Sequence, residues 1–180
     1  MSGFASSGGA GLFLAAVPDE GTARRIHRLA GALKRAHRFD GRLTPPGRLH
    51  ISLFFLGGVH EWTIHAACEA AADVRAAPFE VSFDRTASFR GRSDNRPFVL
   101  IGEVGTSRLR SFRQMLGSAL ARRGLRRVAN TNFTPHVTLL YGAHGVEEHP
   151  IEPIFWTVTE FVLIHSMNGY DQLARWSLRV

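Results

Sequence analysis

The sequence predicts an α+β protein of two similar lobes, each an antiparallel sheet backed by helix. Three observations predict it. Helix-like and strand-like segments interleave over 180 residues with no linker long or biased enough to divide them. FEVSFDRTASF alternates apolar and polar residues, and antiparallel sheets backed by helices account for the order of segments. One pattern also occurs twice: strand, long helix, histidine-bearing strand, and then two strands, long helix, histidine-bearing strand.

Residues 1–11, MSGFASSGGAG, are small and polar and are expected to be flexible; residues 12–180 form one domain. LFLAAV (12–17) reads as a buried strand. Pro18, Asp19 and Glu20 open a helix, with acids placed where the helix dipole favours them. Its apolar stripe is Ile26, Leu29, Ala30, Leu33 and Ala36, and it runs to about Phe39. DGRLTPPG bars helix and leads to a strand over about Leu49–Leu56. A second helix covers Glu61 to Ala76 and stops before Pro78. FEVSFDRTASF and PFVLIGEV are strands joined by the basic loop RGRSDNR. TSRLRSFRQMLGSALARRG is a third helix, with Thr106 or Ser107 as candidate cap and Gly124 as candidate stop. Thr134–Tyr141 is the second histidine strand. IFWTVTEFVLIHS and DQLARWSLRV are expected to be two more strands forming a hairpin around MNGYD.

The hydrophobic fraction, 44%, is that of a globular protein. No apolar run approaches the roughly 18 residues of a membrane span. The start lacks the basic end and apolar core of a signal peptide. The one cysteine, Cys68, excludes an intramolecular disulfide framework and a cysteine-rich zinc site, and a reducing cytoplasm fits. Net charge is +7, and 20 of the 22 basic residues lie between Arg24 and Arg127. Such a surface suits an anionic partner such as RNA. Lys34 is the single lysine, however, so a coding bias toward arginine explains the surplus equally well.

LHISLFFLG (49–57) and FTPHVTLLYG (133–142) hold the chemistry. Side chains two apart on a strand share a face. His50 and Ser52 therefore stand together, as do His136 and Thr138. Each pair offers an imidazole that can exchange a proton and a hydroxyl that can hold a phosphate oxygen. Two such pairs facing each other suit in-line displacement at phosphorus, one histidine taking a proton and the other giving one. A lone copy would read as a structural or surface histidine. Two copies, each after a proline-containing turn and each ending in glycine, point to joint action.

The motifs, with LFLAAVPDE, TPPGRLHISLFFLG and WTVTEFVLIHS, resemble the two-histidine (2H) phosphoesterases, in the LigT-like branch of RNA 2′,3′-cyclic phosphodiesterases, or 2′-5′ RNA ligases. The matching motifs are His50-Ile51-Ser52-Leu53 and His136-Val137-Thr138-Leu139. The resemblance runs from about Leu12 to the C-terminus. It implies a bilobal fold with the motifs facing across a central cleft. It implies opening of a 2′,3′-cyclic phosphate to a 2′-phosphate without metal or cofactor, on RNA ends or small cyclic nucleotides. Carried over by motif, His50 is the proton donor to the departing 3′ oxygen and His136 the acceptor that activates water. Ser52 and Thr138 hold the phosphate oxygens. Spacing alone does not tell donor from acceptor. One departure stands out: many members follow the second motif with an arginine, where this chain has Tyr141. Arg90, Arg92 or Arg96 of the basic loop are candidates to supply that charge. Tyr141 and Phe133 are candidates to stack on a base, with core packing as the competing role.

His60 and His65, like His144 and His149, are five apart, which does not align two ligands on a helix face, so no metal site is expected. No GxxxxGK phosphate loop occurs, and Cys68 lies on an alanine-rich helix as an inert residue. The rival functions are 2′-5′ ligation, a related phosphodiesterase acting on 2′-5′ oligonucleotides or ADP-ribose cyclic phosphate, and a non-catalytic RNA-binding module. The last would bind RNA in a salt-sensitive way without turnover. With no heptad pattern, a monomer is expected.

Overall fold

The computed structural model describes residues 11–92, 94–129, 132–167 and 169–179. The chain runs β1 (Leu12–Ala16), α1 (Glu20–Ala36), β2 (Ile51–Gly57), α2 (Glu61–Asp73), β3 (Phe79–Ser88), β4 (Arg96–Ile101), α3 (Ser107–Arg122), α4 (Arg126–Ala129), β5 (His136–Gly142), β6 (His149–Val158), β7 (Glu160–His165) and β8 (Asp171–Ser177). Of the segment expected to be flexible, residues 1–11, only Gly11 lies among the described residues. Its N–H donates to Ser166 Oγ at 3.3 Å, and its carbonyl accepts from Ser166 N at 3.0 Å.

The strands form two antiparallel sheets, ordered β2-β1-β7-β8 and β5-β4-β3-β6. Each histidine strand is an edge strand, joined to its neighbour through a long helix. The helices interlock the lobes. α1 leaves the first sheet and lies against β5 and β6 of the second. α3 leaves the second and sets Phe112 5.2 Å from Phe161 of β7. Gly117 of α3 admits the Phe54 ring of β2; a Cβ there would lie 3.0 Å from its Cζ. One buried cluster therefore joins Leu14, Ile51 and Phe54 of the first sheet to Phe98, Leu100 and Val137 of the second. The opposite face of the first sheet carries a smaller cluster, Phe13, Ala15, Val162 and Ile164.

Capping follows the sequence in part. Asp19 accepts from Thr22 N at 2.9 Å and from Thr22 Oγ1 at 2.6 Å. Gly124 takes φ +89° and closes α3, with Leu125 N reaching Leu120 O at 3.0 Å. α1 closes in the same way three residues before the expected Phe39. There Arg38, at φ +56°, fills the place usually given to glycine, and Phe39 N bonds Lys34 O at 3.0 Å. Thr106 occupies the N-cap of α3 without capping it. Its hydroxyl donates backward to Gly102 O at 2.9 Å and Glu103 O at 3.0 Å. α2 ends at Asp73, short of Ala76, where the chain turns extended at Val74.

The expected strand IFWTVTEFVLIHS is two strands. It breaks at Thr159, and its halves join different sheets. Ile154 to Val158 alternate buried and exposed on a sheet edge, whereas Phe161 to Ile164 are buried throughout in a sheet interior. β6 also begins earlier than Ile154, at His149. An edge strand tolerates Pro150 and Pro153, which argue against a central one.

Candidate active site

β2 and β5 lie against each other where the two sheets meet. Each histidine is fixed in the same way. His50 Nδ1 is 2.7 Å from Arg48 O, and His136 Nδ1 is 2.7 Å from Thr134 O. A carbonyl can only accept, so each Nδ1 carries the proton and each neutral ring presents a bare Nε2. Extended backbone brings the carbonyl two residues back onto the ring's own side, and the proline turns before each strand supply that backbone. Ser52 Oγ donates to His50 Nε2 at 3.1 Å. The same-face reading of that pair therefore holds, although His50 sits one residue ahead of β2.

Both rings are half-buried, and both are easier to keep neutral than an ordinary histidine of pKa 6.5. Desolvation dominates for each. For His50, the charge of His136 lowers it further, while the bond to Arg48 O works against both effects. The charge of His136 therefore reaches His50.

Aromatic rings line both halves. Phe13 lies 5.0 Å and Tyr170 5.7 Å from the His50 ring, centroid to centroid. Phe89 meets His136 edge-on at 5.0 Å. The Tyr170 hydroxyl is buried without a hydrogen-bond partner among the described residues. Its pKa lies far above the ordinary tyrosine value because of that burial.

A bulge follows each motif. In β2, Leu14 pairs with Phe54 and Ala15 with Ser52, so Leu53 is extra. In β5, Phe98 pairs with Leu140 and Val99 with Thr138, so Leu139 is extra. Each bulge reverses the alternation, bringing the residue five after the histidine back to the motif's face. That residue is Phe55 in one lobe and Tyr141 in the other. The Phe55 ring covers Gly11, where a Cβ would lie 2.7 Å from its Cε2. Burial raises the pKa of the Tyr141 phenol, and the neighbouring Thr138 side chain works against that rise. Each bulged carbonyl finds a donor from another part of the chain. Leu139 O accepts from Thr44 N at 2.7 Å, and Leu53 O accepts from Arg113 Nε at 2.8 Å.

Arg113, on α3, contacts both the first motif strand and the segment that leads into the second. Its guanidinium lies 4.2 Å from the Phe54 ring and 4.4 Å from the Phe133 ring. Burial pulls its pKa to about 10, so it remains charged at neutral pH. Phe133 packs against the core beneath it. Arg92 pairs with Asp94 at 3.7 Å on its loop, and Arg90 and Arg96 flank a cavity beside Phe89. Phe13, Phe89, Tyr170 and Arg113 were not singled out by the sequence. Arg113 had a signal: it lies four after Leu109 and three before Leu116, at the border of the apolar stripe.

The other histidines gather elsewhere. The rings of His37 and His149 are 5.0 Å apart, and His144 stacks on Phe39 at 4.5 Å. Among the described residues no group of three His, Cys, Asp or Glu is disposed to hold a metal ion. Cys68 is half-buried, and its thiol pKa is raised by burial. No helix of the described residues is long and apolar enough to cross a membrane.

Residues 12–169 match the family model of the 2′-5′ RNA ligase superfamily. Among solved structures, a phosphoesterase is 28% identical with a TM-score of 0.75, over 95% of this chain and 99% of its own. The E. coli LigT protein complexed with ATP is 26% identical with a TM-score of 0.71, over 95% and 99%. The same protein complexed with 3′-AMP is 28% identical with a TM-score of 0.68, over 94% and 97%. No curated protein matches the chain in sequence.

Proposed function

The chain belongs to the 2′-5′ RNA ligase superfamily, and on that premise we propose that it is an RNA 2′,3′-cyclic phosphodiesterase leaving a 2′-phosphate. One observation carries the reading. Two histidines sit on facing strands, each held with Nδ1–H on a carbonyl and so with Nε2 unprotonated, and each with a hydroxyl two residues on. Such a pair supplies a base and an acid without calling on a metal.

His136 Nε2, neutral, takes a proton from water as the water oxygen bonds to phosphorus. The bond from phosphorus to the 3′ oxygen breaks, and His50, protonated at Nε2, gives its proton to that oxygen. The product carries a 2′-phosphate and a 3′-hydroxyl. Both histidines return to their starting states by exchange with solvent. Ser52 and Thr138 donate to the non-bridging oxygens. The order of roles rests on the family, because the Nδ1 atoms of both rings are held on a carbonyl in the same way.

The test is an RNA ending in a 2′,3′-cyclic phosphate, incubated in EDTA with wild type and with His136→Ala. Wild type should yield only the 2′-phosphate. The variant should lose about 10²–10⁴-fold in rate, the usual weight of one proton-transfer group. A 3′-phosphate product, or turnover that appears only with added metal, would overturn the mechanism.

A further inference from the structure

A cavity of about 400 Å³ opens beside the second histidine, lined by Ser88, Phe89, Arg90, Gly91, Arg96 and Gly145. That volume lies within the range of small-ligand sites. Phe89 belongs to both places, lining the cavity and sitting 5.0 Å from the His136 ring. The cavity is therefore one ring away from the reacting centre.

Its walls are built. The loop after β3 and the loop after β5 are tied by two hydrogen bonds, Ser88 N to Val146 O at 2.9 Å and Val146 N to Ser88 Oγ at 3.0 Å. Gly91 lets the chain double back closely, since a Cβ there would lie 3.0 Å from Asn95 O. Gly145 leaves room for the Arg96 guanidinium, which lies 2.9 Å from where its Cβ would be.

The charge of the cavity is uncompensated. Arg85 pairs with Glu148, Arg92 with Asp94 and Arg123 with Asp73. Among the described residues the side chains of Arg90 and Arg96 make no ion pair or hydrogen bond, and no acid lines the cavity. Two guanidinium groups on one cavity form a site for an anion, and a phosphate suits them best.

We propose that this cavity takes a second phosphate of the substrate, beyond the one that reacts. This rests on the phosphodiesterase reading above and narrows it: the substrate is a nucleotide bearing a further phosphate, as every oligonucleotide end does, and not a simple cyclic mononucleotide. Arg90 and Arg96, rather than Arg92, then read the substrate.

Three probes separate the possibilities: adenosine 2′,3′-cyclic phosphate, its 5′-phosphorylated form, and a trinucleotide ending in the same cyclic phosphate. Wild type should prefer the 5′-phosphorylated form and the trinucleotide over the plain compound by about tenfold or more in kcat/KM, the scale of one charge-assisted contact. Arg90→Gln/Arg96→Gln should abolish both preferences, and Arg92→Gln should keep them. A gain confined to the trinucleotide and untouched by the double variant would overturn the proposal in favour of base contacts. Equal kcat/KM for all three would overturn it outright. If none is turned over, the hydrolytic reading falls but the subsite is still decided. Calorimetry would then compare adenosine 2′-phosphate with its 5′-phosphorylated form, and the same arginine-dependent preference must appear.

Discussion

Replacing Arg113 by methionine tests whether one side chain ties the two histidine strands together. Three of its contacts are described: the Nε bond to the bulged Leu53 carbonyl at 2.8 Å and the two ring contacts at 4.2 and 4.4 Å. A hydrogen bond from a charged donor contributes about 1.5–3 kcal/mol. Each half-exposed cation–π contact adds about 0.5–1 kcal/mol. Methionine fills similar space and returns about 0.3–1.5 kcal/mol through sulfur–aromatic contact. The expected net loss is about 1–5 kcal/mol. Urea unfolding at pH 7 reads it directly, and a chain of this size should lose about 2–4 °C of melting temperature per kcal/mol. Turnover, measured well below the melting temperature, should fall further than stability explains, because a shift of one motif against the other spoils in-line geometry. Arg113→Lys keeps the charge but not the planar fork and should fall between. An unfolding midpoint and kcat/KM indistinguishable from wild type for Arg113→Met would refute the reasoning.

Further outcomes follow from the same contacts. Both histidine pKa values lie below 6.5, so both limbs of the kcat/KM profile should lie on the acid side of that value. The acid loses its proton as pH rises, and activity should drop about tenfold per unit on the alkaline limb; an optimum near pH 8 would contradict this. Ser52→Ala and Thr138→Ala should each cost about 10- to 100-fold in kcat/KM, the scale of a hydrogen bond to a charged phosphate, with melting temperatures near wild type; equal kinetics would remove the hydroxyls from the mechanism. Arg38→Gly should raise stability by about 1 kcal/mol, since φ +56° burdens a residue with a Cβ. A lower urea midpoint would show that the arginine side chain outweighs the backbone.

The histidine pairs were legible because a period of two is local: His50 and Ser52 share a face whatever their strand pairs with. The bulges at Leu53 and Leu139 were not, because a bulge is a property of two strands in register. That is why the period of two alone does not place Phe55 and Tyr141, an odd number of residues from their histidines, on the site face. The break at Thr159 was written as a change from alternation to continuous burial, but an uninterrupted apolar run concealed it. Phe89 and Tyr170 lie at the ends of loops, where only the third dimension shows what they reach.

That break has a consequence for biosynthesis. β1 is an inner strand of its sheet, and one of its partners, β7, is among the last segments to be made; Leu14 waits for Leu163. Until β7 leaves the ribosome, the first sheet is a two-stranded ribbon with an open apolar edge, the kind of element that is marginal alone and prone to mispairing. The second sheet, β3 to β6, is drawn from one continuous stretch and can close first. Its helix α3 would then present Phe112 and Arg113 as a template on which the earlier-made strands settle. The half of the candidate site that is translated first is thus the half that is completed last.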